Sequence, residues 1–407
     1  MVWRANKLGD ICELIKRGVA PKYVDEGGVC VLNQKCIRDH SVNYELARRH
    51  NLEVKSVNPE RYIQVGDVLV NSTGTGTLGR VAQIRSLPHE PTTVDTHVTI
   101  VRPKEGLFYN DFFGYMLIKI ENEITLSGEG ASGQTELART TLEQKFDVSF
   151  PESIPEQKRI VAILDETYAG ISLAVANAEK NLANARELFE SYLNERLLTI
   201  ASQPSTQTLS DICELIVDCE HKTAPTQDTG YPSIRTPNIG KGYLILGKVN
   251  RVSEETYNLW TKRAKPLPGD LILAREAPAG NIGVIPDGEK VCLGQRTVLI
   301  RPKSDIVSPH YFAYLILHPL LQHRLLSHST GATVQHVNMK DIRQLSIGCL
   351  PALKEQLLDV QAIEKAKDYV NELENIYQQK LTFLSELKQS ILQKAFTGEL
   401  TEKEVAT

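Results

Sequence analysis

Apolar positions divide this chain into two kinds of segment. Over residues 155–199 they recur at alternating steps of four and three: Leu164, Tyr168, Ile171, Val175, Ala178, Leu182, Ala185, Phe189 and Tyr192 fall on one stripe of a helix. Apart from Pro155 at its start and Gly170, the segment has no proline or glycine. At a rise of about 1.5 Å per residue it is roughly 65 to 70 Å long, too long for an ordinary domain helix. A second segment, residues 353–396, repeats the pattern with Ile363, Ala366, Val370, Leu373, Tyr377, Leu384, Ile391 and Ala395 on its seam. Two matching seams in one chain predict an antiparallel intramolecular coiled coil. Elsewhere, short β-branched runs alternate with turn residues. Strands are expected at 67–70, 79–84 and 97–101 with a helix over 111–123, then at 270–274, 282–285 and 296–300 with a helix over 309–326. Gly66-Asp67 and Gly269-Asp270 read as turns before the central strands.

The two sets of strands correspond because the chain repeats itself. Leu8-Gly-Asp-Ile-Cys-Glu-Leu-Ile15 recurs as Leu209-Ser-Asp-Ile-Cys-Glu-Leu-Ile216, Val101-Arg-Pro-Lys104 as Ile300-Arg-Pro-Lys303, and Gly130-Ala-Ser-Gly-Gln134 as Gly331-Ala-Thr-Val-Gln335. The offset stays near 200 residues, so the chain is a tandem duplication of one globular unit followed by one long helix. Both helices are entered through a proline-bearing junction followed by Glu156-Gln157 or Glu355-Gln356. The expected fold is α+β: mixed α/β domains at 1–150 and 206–350, separated by helical segments at 151–205 and 351–407 that pair antiparallel, with pseudo-two-fold symmetry.

Composition narrows the function classes. The 407 residues are 41% apolar and 24% charged, ordinary for a globular protein of two or three domains. The seven cysteines are scattered, without a C-x-x-C pair or zinc spacing. They read as reduced, mostly buried thiols of a cytoplasmic protein, with Cys12 and Cys213 as small core residues. The N-terminus has no apolar signal segment and no run of some 18 apolar residues is apparent, so neither secretion nor membrane insertion is expected. The net charge of −4 comes mainly from the helical segments, and the globular parts, near neutral to slightly basic, can still present a local basic face.

Catalysis has no visible seat. No G-x-x-x-x-G-K-[ST] is present, and the glycine-rich Asn71-Ser-Thr-Gly-Thr-Gly-Thr-Leu-Gly79 lies between strands and has no lysine. There is no Asn/Asp-Pro-Pro-aromatic segment of the amino-methyltransferase kind, no nuclease carboxylate–lysine set and no nucleophile elbow. No metal site is expected. What remains is a set of polar loops suited to base and phosphate contact. In the first unit they hold Asn33, Gln34, Lys35 and Arg38, then Ser72, Thr73, Thr75 and Arg80, then Ser132 and Gln134. In the second they hold Arg235, Thr236, Asn238, Arg275, Gln295, Arg296, Thr333, Gln335 and His336. Gln134 and Gln335 stand out because both copies keep them, whereas most other loop residues differ, as two readers of different sequences would show. His97, His221 and His336 read more readily as packed or surface histidines than as ligands. Phe108, Phe112, Phe113, Tyr311 and Phe312 read as core.

Three segments resemble the specificity subunits of Type I restriction-modification enzymes: Lys7-Leu-Gly-Asp-Ile-Cys-Glu13, the helix start Ile154-Pro-Glu-Gln-Lys-Arg-Ile-Val-Ala-Ile-Leu164, and Leu387-Lys-Gln-Ser-Ile-Leu-Gln-Lys-Ala-Phe-Thr-Gly-Glu-Leu400. The likeness extends over essentially the whole chain. The second helix start, Leu350-Pro-Ala-Leu-Lys-Glu-Gln356, departs modestly from the family's proline-then-Glu-Gln pattern. The resemblance implies a non-catalytic subunit whose two target recognition domains each read half of a bipartite double-stranded DNA site, with the helices as spacers. It also implies two modification subunits, which bind S-adenosylmethionine and methylate adenine N6, docked on the outer helix faces. Two restriction subunits that use ATP and Mg would complete the enzyme, so this chain itself would need no cofactor. The main rival is a non-catalytic protein–protein scaffold without DNA sequence preference.

Overall fold

The computed structural model describes residues 3–86, 88–130, 135–276, 278–327 and 336–400. They form two compact units, one of Met1–Ala178 with Gln379–Thr407 and one of Glu179–Gln378. The units cut through both long helices instead of setting residues 151–205 and 351–407 apart, because half of each helix is packed into each globular part.

In the first unit the short helix Leu8–Ile11 leads into the strand Cys12–Arg17. That strand borders an antiparallel sheet ordered Cys12–Arg17, Val98–Pro103, Val68–Asn71, Val81–Gln83. A second sheet, ordered Thr92–Val94, Val29–Leu32, Arg48–His50, Tyr23–Val24, carries one parallel pair, Thr92–Val94 with Val29–Leu32. The three expected strands, Val68–Asn71, Val81–Gln83 and Val98–Pro103, end within a residue or two of expectation, while Cys12–Arg17 and the second sheet were not expected. The helix expected at 111–123 is instead two, Asn110–Lys119 and Glu121–Leu126, broken at Ile120. Phe112 and Phe113 are fully buried, and Phe112 meets Phe396 with ring centroids 5.0 Å apart.

The second unit repeats the plan. Its main sheet runs Cys213–Asp218, Thr297–Pro302, Leu271–Ala274, Ile282–Val284, Lys241–Gly242, the last strand parallel to its neighbour. Beside it lies a three-stranded sheet of Arg251–Val252, Tyr231–Ile234 and Cys292–Leu293. The expected helix over 309–326 again splits, into Pro309–Leu317 and Pro319–Leu326, because Pro319 has no N–H to continue the helix. Between the two, His318 is buried; burial pushes its imidazole below the usual histidine range, and Nε2 lies 3.2 Å from the Asn194 carbonyl.

Two sequence motifs prove to be one structural device. Gly66 and Gly269 take positive φ values of 97° and 83°, which glycine adopts freely, and so turn the chain into the central strands. The aspartate that follows meets the arginine of the repeated Arg-Pro-Lys. Arg102 Nε and Nη2 donate to the two oxygens of Asp67 at 2.7 and 2.8 Å, and Arg301 does the same to Asp270 at 2.7 Å each. The motif lysines donate to the carbonyls of Asp10 and Asp211, each at 2.7 Å. Six of the seven cysteines are buried and all are free thiols, Cys349 alone being exposed; burial holds the Cys213 thiol up to about 12.

The first long helix spans Ile154–Ser202 and the second Leu353–Ala395. Every residue named on the first seam is buried or half-buried. Within the first unit Tyr168 Oη donates to the Lys388 carbonyl at 3.3 Å. Within the second, Arg186 pairs with Glu374 at 2.8 Å and Arg196 with Asp359 at 2.7 Å. In the second unit partners rise along one helix as they fall along the other, so the pairing there is antiparallel. Leu373 leaves the expected seam: it is 38% exposed, and Glu374, paired with Arg186, takes the inward place. The first helix also holds an 18-residue window of mean hydropathy 1.3, long and apolar enough by composition to cross a membrane, of which 22% is buried. This apolar stretch is the feature the sequence reading did not anticipate.

The Glu-Gln pair at each helix start joins helix to domain. Gln157 is fully buried; its Oε1 accepts from Tyr109 N at 2.7 Å, and its Nε2 donates to the carbonyls of Leu107 and Pro151 at 3.2 and 2.9 Å. Gln356, equally buried, accepts from Ser308 N and donates to Ile306 and Pro351, all at 2.9 Å. One turn or two further on, Tyr115 Oη donates to Asp165 at 2.5 Å and Tyr314 Oη to Glu364. Burial, with the carboxylate second, holds both phenols above the usual tyrosine range. Gln157→Ala or Gln356→Ala takes the partner from three backbone groups at the junction, buried or half-buried. Each substitution should lower the unfolding free energy by about 2–4 kcal/mol, measured by urea titration of the full chain.

Candidate nucleic-acid interface

The polar loops converge in each unit because strand ends place them there. In the first, Asn33 caps the turn Gln34–Cys36, its Oδ1 accepting from Lys35 N at 2.8 Å. Asn71, buried at the end of its strand, donates through Nδ2 to the carbonyls of Gln34 and Thr77 at 3.0 and 3.1 Å, tying that turn to the glycine-rich loop. Lys35, Arg38 and Thr75 are exposed, and Gln34, Thr73 and Arg80 half-buried. Arg80 Nη2 donates to the Gly76 carbonyl at 2.8 Å, closing the loop on itself. Arg38 lies on a hairpin whose turn residues Asp39 and His40 both have positive φ, with His40 Nε2 2.7 Å from Glu121.

In the second unit Arg235 is exposed before the turn Thr236–Asn238, and its N–H donates to Asn238 Oδ1 at 3.1 Å. Gly294 lies so close to Arg235 that an added Cβ would stand 2.5 Å from Arg235 Cγ. Gln295 Nε2 donates to the His221 carbonyl at 3.2 Å. Asn281 Nδ2 donates to Ile239 O at 3.0 Å, linking the two loops as Asn71 does in the first unit. Ser132, Gln134, Thr333 and Gln335 lie outside the described residues.

A shared backbone frame underlies both surfaces. Ser72 N donates to His97 O at 2.8 Å and Leu137 N to Ser72 O at 2.8 Å; Arg275 N donates to Arg296 O at 2.9 Å and Val337 N to Arg275 O at 3.1 Å. On this frame the side chains differ at every equivalent place. The first unit has Arg17 paired with Glu136 and donating to the Leu137 carbonyl at 2.8 Å, Ser72 bonded to Thr99, and Thr73 Oγ1 2.6 Å from His97 Nδ1. The second has Arg275 at the centre of a chain of bonds: Nη1 to Asp218 at 2.6 Å, Nε to the Val337 carbonyl at 2.9 Å, Nη2 to His336 Nε2 at 2.9 Å. His336 Nδ1 then meets Glu276 Oε1 at 2.6 Å, and Glu276 Oε2 meets Arg296 Nε at 2.9 Å. Because a guanidinium only donates, the His336 proton on this chain sits on Nδ1.

Burial sorts the candidate residues. Asn33, Ser72, Thr236 and Arg275 are buried, and Asn33, Ser72 and Arg275 bond inward, so they support the loops and do not face a ligand. Polar type alone had suggested contact. Arg17, Glu136, Asp218 and Glu276 belong to the same frame and were missed. Their signal was positional, since each sits at the end of a repeated strand or loop where the copies differ in charge. Among the described residues no group of three or more His, Cys, Asp or Glu is arranged to hold a metal ion.

The comparisons with known proteins follow the duplication. The chain belongs to the Type I restriction modification DNA specificity domain family, matched over residues 2–181 and again over 205–382. The Escherichia coli Type I restriction enzyme EcoBI specificity subunit is 28% identical over 172 residues, 42% of this chain and 36% of that protein; the match thus spans about a third of that relative's length. Among solved structures, one described as the basis of complex assembly and conformational transition of the type I R-M system covers 98% of both chains with a TM-score of 0.74 at 19% identity. The HsdS subunit from Thermoanaerobacter tengcongensis covers 98% of this chain and 97% of its own with a TM-score of 0.57, also at 19% identity. Both share the α+β fold.

Removing a support should act on stability. Arg275→Ala, which takes the guanidinium away from Asp218, His336 and the Val337 carbonyl, should cost about 1–3 kcal/mol. Arg235→Ala, at an exposed side chain, should stay within about 0.5 kcal/mol of the wild type. Denaturant melts of the two variants check both.

Proposed function

We propose that this chain is the DNA-recognition subunit of a Type I restriction-modification complex. Each unit reads one half of a bipartite double-stranded target through its converged loops. The observation that carries this is one backbone frame, present twice, with different side chains on it in each copy, the exposed His97 and Arg296 among them. That is what a reader of two unlike half-sites needs, whereas a plain scaffold would have no reason to vary these places. The family membership agrees with it.

The chemistry would lie with partners: two modification subunits that bind S-adenosylmethionine, and two restriction subunits that use ATP and Mg, all in the cytoplasm. This chain needs no cofactor of its own on this reading. Its part is to bind, and the long helices set the separation of the half-sites, at about 34 Å per turn of DNA. The helices also carry apolar side chains that the intramolecular pairing leaves in water, Leu173, Leu188, Ile376 and Phe383 among them, each more than half exposed. These suit the docking of the modification subunits.

Sequencing adenine methylation in cells with and without the gene tests the reading. A bipartite motif should vanish on deletion, and unchanged methylation would refute the assignment. Four residues inserted after Ser202, where the first long helix ends, should preserve both half-motifs and alter the spacing between them. Phe383→Glu should weaken co-purification with the modification subunit about tenfold or more while leaving the melting temperature of the chain unchanged.

A further inference from the structure

Equivalent exposed side chains stand at the head of the central strand in each unit: His97 before Val98–Pro103 and Arg296 before Thr297–Pro302. Both sit on the shared frame, their carbonyls accepting from Ser72 N and Arg275 N. Each is held from the side by the residue that follows that donor, Thr73 for His97 and Glu276 for Arg296.

Arg296 has two further properties. Its φ is +66°, a left-handed conformation that residues with side chains rarely adopt and that persists where the surroundings impose it, often at functional sites. Its side chain is 60% exposed although Glu276 engages Nε. No described residue bonds its two terminal nitrogens, which are the pair able to span guanine O6 and N7. The chain Asp218–Arg275–His336–Glu276 therefore ends on a guanidinium turned outward in a fixed pose.

We propose that Arg296 is a specificity-determining contact that reads a guanine in the half-site of the second unit, with Glu276 as its positioning residue, and that His97, aimed by Thr73, is its counterpart in the first. This deepens the recognition role proposed above and rests on it. The first unit's contact is lighter, because Thr73 occupies Nδ1 of His97 and leaves a single ring nitrogen to meet a base.

The test uses the full chain assembled with its modification subunit, read out by sequencing methylated adenines in cells. Arg296→Gly removes the guanidinium at a φ that glycine tolerates, and Glu276→Gln keeps an acceptor for Nε but loses its charge. Both should relax preference at the same G·C position of one half-site, by about ten- to a hundredfold for Arg296→Gly, and leave the other half-site unchanged. Arg296→Lys should retain part of the preference. His97→Ala should relax one position in the opposite half-site. The inference is overturned if Arg296→Gly leaves the motif intact, or if methylation falls evenly at all sites with no position relaxed. Should Arg296→Gly fail to assemble, Glu276→Gln decides by the same criterion. A wild-type chain whose deletion changes no methylation would instead defeat the underlying recognition role.

Discussion

The buried side-chain amide at the start of each long helix is the interaction on which the architecture depends. Gln157 and Gln356 each use both ends of their amide, accepting one backbone N–H and donating to two carbonyls, in places where no water reaches. A buried amide satisfied on both sides fixes direction as well as contact, since rotating the helix would strand several polar groups at once. The tyrosine–carboxylate bonds further along, Tyr115 to Asp165 and Tyr314 to Glu364, hold the same helix face against the same domain helix. The result is a helix whose orientation on its globular part is set by hydrogen bonds, with apolar packing filling in around them.

Rigid mounting matters because the surface proposed for recognition is made of loops. The buried Asp67–Arg102 pair and the half-buried Asp270–Arg301 pair brace the main sheets, and the strand ends then deliver the loops to one place. The two units keep the backbone of that place and vary its side chains, including the sign of charge: Arg17 stands where the second unit has Asp218, and Glu136 where it has His336. An arginine still caps the final loop carbonyl in both, from Arg17 on one strand in the first unit and from Arg275 after the neighbouring strand in the second. Duplication followed by divergence has conserved the bond and moved its donor.

The apolar window of the first long helix illustrates how composition misleads without contacts. Its seam residues pack and Asp165 is bonded to a domain tyrosine, yet much of its surface remains in water. A helix that packs on its domain along one face and carries apolar residues on another as well has a raised hydropathy.

The sequence by itself determined the duplication, the two long helices, the antiparallel sense of their pairing and three strands of each main sheet, but neither Cys12–Arg17 nor Cys213–Asp218 and Lys241–Gly242. Periodicity and repetition are local signals that survive without knowledge of neighbours. Leu373 shows the limit, since the apolar residue at its seam position gives way to a charged neighbour with a partner across the pair. Which loop residues face outward was decided only by tertiary structure. Arg275 and Arg296 are the same residue type twenty-one positions apart; one is buried with three hydrogen-bond partners for its guanidinium and the other projects from a strained turn. The difference arises from strands distant in sequence, whose packing gives one arginine enough hydrogen-bond partners to offset its desolvation and leaves the other in water.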